Sequence, residues 1–385
     1  MLLTPQARRL KFLNMIKLIL SSSELCNKVA NISKVIANKN SLPALNDILF
    51  QVSENKVQLT AADMENQVTT FVSAGVEGTG VFGVDAHLLL NSLKELPEQP
   101  VDIYVDLDSC KLCIKYQNGK FDMPVRCNEE YPLCPEIKGN NSCTIKSETF
   151  HRIISKATGF VEVDELRPQL GGVYFNFGER LEVCATNGHQ LIKMNTVYTG
   201  DSKGSLLLSI KACKLAGIFA GKQTDDITIR FDERNASFEL ADYSFVCRLV
   251  DGRYPNYNSV IPTNYKDNII VGRSELTSAL KRVMVFTNNQ SCLVKFAVNG
   301  FQLKVAGVDI DYSRSAEESL CCTREGKDVT AGLKGSFVLN ILNSLETDNI
   351  KMFYLSNSSA FLFEPEVSED DFNILCLIMP MLLND

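Results

Sequence analysis

Apolar and polar positions alternate on either side of a polar turn three times along this chain. Asn46–Asp63 reads NDILFQVSENKVQLTAAD, two alternating runs joined at Ser53–Lys56, the pattern of a β-hairpin. Gly171–Asn187 (GGVYFNFGERLEVCATN) repeats it around Gly178–Arg180, and Cys292–Asp309 (CLVKFAVNGFQLKVAGVD) around Asn299–Gly300. The closing residues Asp63, Asn187 and Asp309 stand 124 and 122 positions apart. A threefold repeat organises the chain.

Each hairpin is preceded by a short strand and a Ser-Glu pair: Ser23-Glu24, Ser147-Glu148 and Ser274-Glu275. Serine before an apolar-periodic stretch predicts an N-cap, with the acid in the first turn suiting the helix dipole. Leu25, Val29, Ile32 and Ile36 share one face of the first such helix. Phe150, Ile153, Ile154 and Ala157 do so in the second, and Leu276, Leu280 and Val283 in the third. A further helix follows each hairpin, at Asp85–Glu95, Ile210–Ala220 and Gly335–Glu346.

Two strands come next: Asp102–Asp106 with Lys111–Tyr116, Asp226–Phe231 with Ser237–Leu240, and Asn349–Tyr354 with Ala360–Phe363. Phe121–Arg126, Phe245–Val250 and Ile374–Met379 close the repeats. The unit is α+β, two helices packed on small antiparallel sheets. Pro- and Asn-rich links at Pro132–Asn141 and Ile261–Asp267 set boundaries at 15–137, 138–264 and 265–385. Residues 1–14 have no counterpart in the other repeats and read as a disordered extension.

Composition narrows the function without naming it. The 385 residues exceed one core and suit three domains of this period. Hydrophobic residues at 45% and charged ones at 22% are ordinary for a soluble globular protein. The net charge of −7 advertises no nucleic acid, although a local positive surface is compatible with an acidic total. The 13 cysteines form no regular framework, and Lys17 interrupts the first apolar stretch before it reaches signal-peptide length. Free thiols in a reducing cytoplasm are the expected state.

Catalytic motifs are scarce. Cys110-Lys-Leu-Cys113 has CxxC spacing, but no second ligand pair follows for zinc, and the alternation there suggests a strand rather than the helix start of a redox motif. Cys321-Cys322 reads as incidental. His189 follows the second hairpin near Cys184, whose strand alternation sets it opposite Leu181, Val183 and Ala185. No GxSxG, P-loop, GxGxxG or HExxH occurs. The expectation is a non-enzyme with no cofactor and no metal.

Two other features point outward. The helices carry basic residues away from the apolar face: Lys28 and Lys34 with Lys39 just beyond, Arg152, Lys156, Lys211 and Lys214, then Lys281 and Arg282. Taken singly, each is a solvated helix face. Recurring in three repeats, they suit sequence-independent contact with a phosphate backbone. The C-terminus, Leu375–Leu383, is apolar where chain ends are usually polar, and Met379, Pro380, Met381 and Leu382 lie beyond the strand register. Methionine-rich apolar surface suits partners of differing sequence.

Together these residues resemble the bacterial sliding clamp, the beta subunit of DNA polymerase III. The resemblance runs from about Met15 to Leu383. Its most specific pieces are Ser41-Leu-Pro-Ala-Leu45, Ala185-Thr-Asn-Gly-His-Gln-Leu191, Leu249-Val-Asp-Gly-Arg-Tyr-Pro255 and Met379-Pro-Met381. It implies three clamp domains per chain and a head-to-tail homodimer ring that encircles double-stranded DNA without reading sequence. That ring tethers the replicative polymerase and also serves the clamp loader and repair polymerases, with no membrane role.

The resemblance also implies sites. A partner-peptide pocket between the second and third domains corresponds to Leu170, Thr186, Gly188, His189, Leu191, Pro255, Val260, Met379, Pro380, Met381 and Leu382. Gln190, Ser259 and Leu382 stand where the family often has arginine, and Ser291 where phenylalanine can occur, so the pocket should be less basic. The dimer contact maps to Phe121 and Met123 on one side and Val285 and Phe286 on the other. Lys39 takes the place of the family's loop arginine. The second-domain loop positions map to Asp164, Pro168 and Gln169, poor DNA ligands, and Arg167 joins the DNA-facing set on charge alone. The alternative function is a three-repeat peptide-binding scaffold without a DNA-sliding role.

Overall fold

The computed structural model describes residues 15–383 apart from 38, 55, 128–129, 135–136, 138–140, 201, 222–223 and 369–370. The 1–14 extension, Asn384 and Asp385 lie outside the described residues. The chain divides into two compact units, 1–140 with 218–248 and 141–217 with 249–385. The middle repeat therefore contributes to both.

In the first unit, helix α1 (Ser22–Ile32) buries Leu25, Val29 and Ile32 and packs against α2 (Ala86–Lys94), which buries Leu89 and Leu93. Ile36 is not on the helix. A 3₁₀ turn over Ser33–Val35 ends the helical run, Val35 takes the buried position, and Ile36 is extended. One sheet runs in the order Gly75–Glu77, Met15–Ser21, Pro100–Asp106, Lys111–Tyr116, Gly119–Pro124. Along Met15–Ser21, Ile16, Leu18 and Leu20 point inward with the period of a half-buried strand. The second sheet of this unit carries Ile227–Phe231, Asn235–Glu239, Tyr243–Arg248, Asn66–Val72, Lys56–Ala62, Asp47–Ser53 and Gly80–Asp85, in that order. Phe50 and Phe82 stack across it at 5.1 Å.

The second unit is built on α3 (Ser147–Ala157), α5 (Arg273–Met284) and α6 (Gly335–Ser344); α4 (Ile210–Ala220) spans the division at 217/218. Phe150, Ile153, Ile154 and Ala157 are buried on α3, and Leu276, Leu280 and Val283 on α5, as their periodicity predicts. A 9-stranded antiparallel sheet has the order Gly204–Ser209, Gly172–Phe177, Leu181–Thr186, Gln190–Thr196, Phe372–Ile378, Phe361–Pro365, Asn349–Tyr354, Asp267–Gly272, Thr323–Glu325. A 4-stranded sheet has the order Arg314–Cys321, Gln302–Asp309, Leu293–Asn299, Val329–Lys334. Its hairpin turns tightly after Asn299, which pairs with Gln302, and Gly300 sits at φ +60°, where a side chain is disfavoured.

The N-cap expectation fails at Ser23, Ser147 and Ser274, although the acid of each pair does fall in the first turn. Ser21, not Ser23, caps α1, its Oγ accepting from the Glu24 N–H at 3.3 Å. Ser147 lies inside the first turn of α3 behind Lys146, and Gly272 precedes α5, neither supplying a side-chain cap. The Ser-Glu pair marks the first turn rather than the residue before it. Cys184 keeps the face opposite Leu181, Val183 and Ala185, but that face is covered as well. The strand Leu181–Thr186 is covered on both faces, so Cys184 is as buried as Val183 and Ala185.

A strand that alternation alone did not reveal follows each hairpin: Asn66–Val72, Gln190–Thr196 and Arg314–Cys321. The first two of these strands join the repeats. The closing strand of the second repeat, Tyr243–Arg248, pairs with Asn66–Val72 of the first, Tyr243 opposite Thr70 and Cys247 opposite Asn66. The closing strand of the third, Phe372–Ile378, pairs with Gln190–Thr196 of the second, Thr196 opposite Phe372 and Gln190 opposite Ile378.

Candidate functional site

The turn between Leu181–Thr186 and Gln190–Thr196 is held by its own side chains. Thr186 Oγ1 donates to the Gln190 carbonyl at 2.6 Å and accepts from the Gly188 N–H at 3.0 Å. Asn187 Oδ1 accepts from the N–H groups of His189 (3.1 Å) and Gln190 (3.0 Å). Gly188 stands at φ +89°, left-handed backbone that glycine adopts without strain. The turn is rigid and presents the His189 ring outward, 6.5 Å from Phe337.

The C-terminal tail docks on this turn. The Met379 N–H donates to the His189 carbonyl at 2.8 Å, and the Met381 N–H to the Gly332 carbonyl at 2.8 Å. Two backbone bonds thus fix the tail between the second repeat's turn and the third repeat's strand Val329–Lys334. Met379 is 42% exposed and Leu382 91%. Pro380, Met381 and Leu382 border a depression of about 440 Å³ shared with Lys295, Thr330 and Asn357. A second depression, about 340 Å³, is bordered by Leu170, His189, Asn187, Glu162, Asp164 and Arg167.

The predicted pocket residues separate by burial. Gly188, His189, Met379, Pro380, Met381 and Leu382 cluster along the docked tail. Leu170 is buried at the wall of the smaller depression. Thr186 and Leu191 are core: Thr186 is spent inside its turn, and Leu191 packs with Tyr254, Tyr257 and Leu377. Pro255 and Val260 lie exposed on a loop pinned by Tyr254 and Tyr257, with Tyr254 stacked on Tyr174 at 4.7 Å. Of the positions that depart from the family's arginines, Ser259 donates to the Asn256 carbonyl at 2.7 Å. Gln190 turns inward, its Nε2 donating to the Gly159 carbonyl at 3.1 Å while its Oε1 is buried with no hydrogen-bond partner among the described residues. Asn340 Nδ2 donates to that same carbonyl at 3.0 Å, and Phe337 flanks His189. Neither Asn340 nor Phe337 stood out in the sequence, since both sit in an apolar-periodic helix.

The basic residues also sort. Lys156 is a correction: it is buried, donating from Nζ to the Ser344 carbonyl at 2.6 Å and pairing with Glu346 at 2.9 Å. Burial pulls its ammonium below the ordinary lysine range, and Glu346 offsets only part of that. Arg152 pairs with Glu346 at 2.8 Å and lies 4.2 Å over the Phe372 ring. Lys28 pairs with Asp242 at 3.1 Å and sits over Tyr243. Arg282 grips Glu318 with two nitrogens at 2.6 and 2.7 Å, and Arg167 is paired with Asp164 at 2.8 Å. Lys211 is half-buried. Lys34, Lys39, Lys214 and Lys281 are exposed and have no ion-pair partner among the described residues.

At the predicted dimer contact, Val285 (71% exposed) and Phe286 (40%) project from the end of α5. Met123 is a correction, because its side chain is buried within its own unit. Phe121 is half-buried beside Tyr116, ring centroids 4.9 Å apart. The predicted site set omitted Arg314–Cys321, an edge strand whose residues alternate between exposed and half-buried. Its charges, Arg314, Glu317 and Glu318 among small residues, do not alternate, so the stretch gave only a weak strand signal.

Three family models cover nearly the whole chain in order. The N-terminal domain of the DNA polymerase III beta subunit matches residues 16–135, its central domain 144–256 and its C-terminal domain 258–382. The chain belongs to the DNA polymerase III beta subunit family. Among curated family members, the beta sliding clamp of Escherichia coli K12 is 24% identical over 371 residues, spanning 95% of this chain and 100% of its own. That of Vibrio cholerae is 23% identical over 372 residues, with the same coverage. Among solved beta subunits, the Pseudomonas aeruginosa sliding clamp bound to griselimycin superposes with TM-score 0.90 at 21% identity, covering 96% of this chain and 100% of its own. The Thermotoga maritima beta subunit superposes with TM-score 0.88 at 26% identity and the same coverage.

Proposed function

We propose that this chain is a DNA sliding clamp: two copies close head to tail around duplex DNA and tether a replicative polymerase for processive synthesis. The observation that carries the reading is the joining rule of the repeats. In both joints within the chain, the closing strand of one repeat pairs with the strand after the hairpin of the repeat before it. The rule leaves two strands over. Gly119–Pro124, the closing strand of the first repeat, and Arg314–Cys321, the post-hairpin strand of the third, both lie at sheet edges. An open edge is a template for another strand, and a second copy supplies the matching one at each end. Phe121 on the first edge, and Val285 and Phe286 on the unit that carries the second, then cover one another across the contact.

The exposed ammonium groups of Lys34, Lys39, Lys214 and Lys281 would face the phosphates, together with whichever paired cations open toward them. Contacts of this kind hold DNA without fixing a register. The docked tail and the His189 turn form the peptide pocket, where a short motif of a polymerase, clamp loader or repair protein anchors. Tethering works by effective concentration, so no bond chemistry is required of the chain. A peptide scaffold without a DNA role is not favoured, since all three repeats retain the family's domains.

The test pairs the solution mass by light scattering with retention on nicked circular and linearised DNA after clamp loader and ATP. A dimer of the 42.8 kDa chain that stays on circles and runs off linear ends supports the clamp. A monomer, or equal loss from both DNA forms, overturns it.

A further inference from the structure

The C-terminal tail, residues 379–383, lies against one face of the strand Val329–Lys334. A Cβ added at Gly332 would meet the Met381 carbonyl at 2.8 Å and the Leu383 side chain at 3.0 Å, so the glycine lets the tail come down onto the sheet. Residues two apart on a strand, or directly opposite on its neighbour, share a face. Lys334 stands two residues beyond Gly332, and Lys295 is directly opposite Gly332 on Leu293–Asn299. Both lysines therefore rise from the face that carries the tail. Lys295 is exposed and borders the depression of about 440 Å³ with Pro380, Met381 and Leu382. Lys334 is half-buried, its Nζ 4.5 Å over the Phe337 ring, whose centroid is 6.5 Å from that of His189. Neither lysine has an ion-pair partner among the described residues. The other flank has the opposite sign: the depression beside Leu170 and His189 is bordered by Glu162, Asp164 and Glu165, and its Arg167 is already paired with Asp164 at 2.8 Å.

We propose that Lys295 and Lys334 form a carboxylate-reading subsite beside the docked tail, selecting partner peptides that carry an aspartate or glutamate side chain next to their apolar anchor. The inference rests on the peptide-pocket reading above and adds to it the sign of charge that the partner bears. An ammonium group on a flexible stem donates without a fixed direction, so the two lysines can follow an acidic side chain while the anchor settles along Met379 and Met381. On the other flank the same side chain would meet three carboxylates. The gain from such partly exposed pairs is modest, which suits choosing among partners more than holding one tightly.

The experiment measures, by fluorescence anisotropy on the full chain, a polymerase-derived peptide acetylated and amidated at its ends. Each residue flanking its apolar anchor is in turn Asp, Asn or Lys. At one flank Asp should bind about fivefold tighter than Asn, with Lys weaker than either, and high salt should shrink the difference. Lys295→Met with Lys334→Met should bring the Asp-to-Asn ratio to about one. Lys295→Glu with Lys334→Glu should invert the preference toward the Lys peptide, a gain that a merely loosened pocket does not produce. Equal affinity for Asp and Asn at every position of the wild-type series overturns the proposal, as does an Asp preference that survives the double Met substitution. Binding of the Asn peptides without any acid preference defeats this inference alone, whereas binding of no peptide at all defeats the pocket reading and this inference with it.

Discussion

Lys156 donates from its buried Nζ to the backbone carbonyl of Ser344 at 2.6 Å, tying the last turn of α3 to the end of α6. Glu346 joins the tie with one oxygen on Lys156 and the other on Arg152, at 2.9 and 2.8 Å. Lys156→Ala strips the carbonyl of its donor and opens a space, and should cost about 2 kcal/mol. Lys156→Met keeps the stem and should cost less. Thermal unfolding of both variants checks the order.

The same cluster sets two pH windows. Burial alone would raise the Glu346 carboxyl, but Lys156 and Arg152 outweigh it and hold it below its ordinary 4.5. Its contribution is present above that value and is lost as pH falls below it. Lys156 acts in the same sense at alkaline pH: the unfolded chain binds more protons in the window beneath 10.5, so stability rises with pH there as well. Denaturant midpoints should show a flatter acid limb for Glu346→Gln and a flatter alkaline one for Lys156→Met.

Charge removal should separate exposed from buried lysines. Lys214→Ala or Lys281→Ala should weaken DNA binding and lower the salt-dependence slope by about one per lost phosphate contact. Lys156→Met should leave the slope unchanged, because its ammonium is committed inside the protein. Titrations at several salt concentrations distinguish them. An equal drop for Lys156→Met would return that residue to the DNA-facing set.

A side chain at Gly332 would press on the tail, because an added Cβ meets the Met381 carbonyl at 2.8 Å. Gly332→Ala should weaken binding of a polymerase-derived peptide several-fold while the body stays folded. Deleting residues 379–385 should abolish that binding. Undiminished affinity in the deletion removes the tail from the pocket.

Val285→Ala with Phe286→Ala removes apolar surface that the isolated chain leaves exposed. The melting of the fold itself should change little, whereas the solution mass should drop to that of a monomer. An unchanged dimer mass excludes both side chains from the contact.

The hairpins and helices were legible because each buries one face, and Leu25, Val29, Phe150 and Leu276 keep the period that burial demands. The joining strands were not. In Gln190–Thr196 the first three residues in a row are buried, so the alternation is lost over its first half. His189 and Met379, residues of the proposed pocket, were legible through a family pattern, but the bond between them is a backbone bond that no side chain records. Lys156 was misplaced for a related reason. Its helical position fits a solvent face, and only Ser344 and Glu346, nearly two hundred residues later, make it interior.

The pairing of Gln190–Thr196 with Phe372–Ile378 also sets a clock for synthesis. A ribosome adding about 5–20 residues per second leaves the earlier strand waiting roughly 10–40 s for its neighbour. Asn66–Val72 waits in the same way for Tyr243–Arg248. Each of the first two repeats leaves the ribosome with one raw edge that the next repeat covers. A chain halted between repeats is therefore a sticky fragment rather than a smaller stable protein, and nascent-chain quality control meets it in that form.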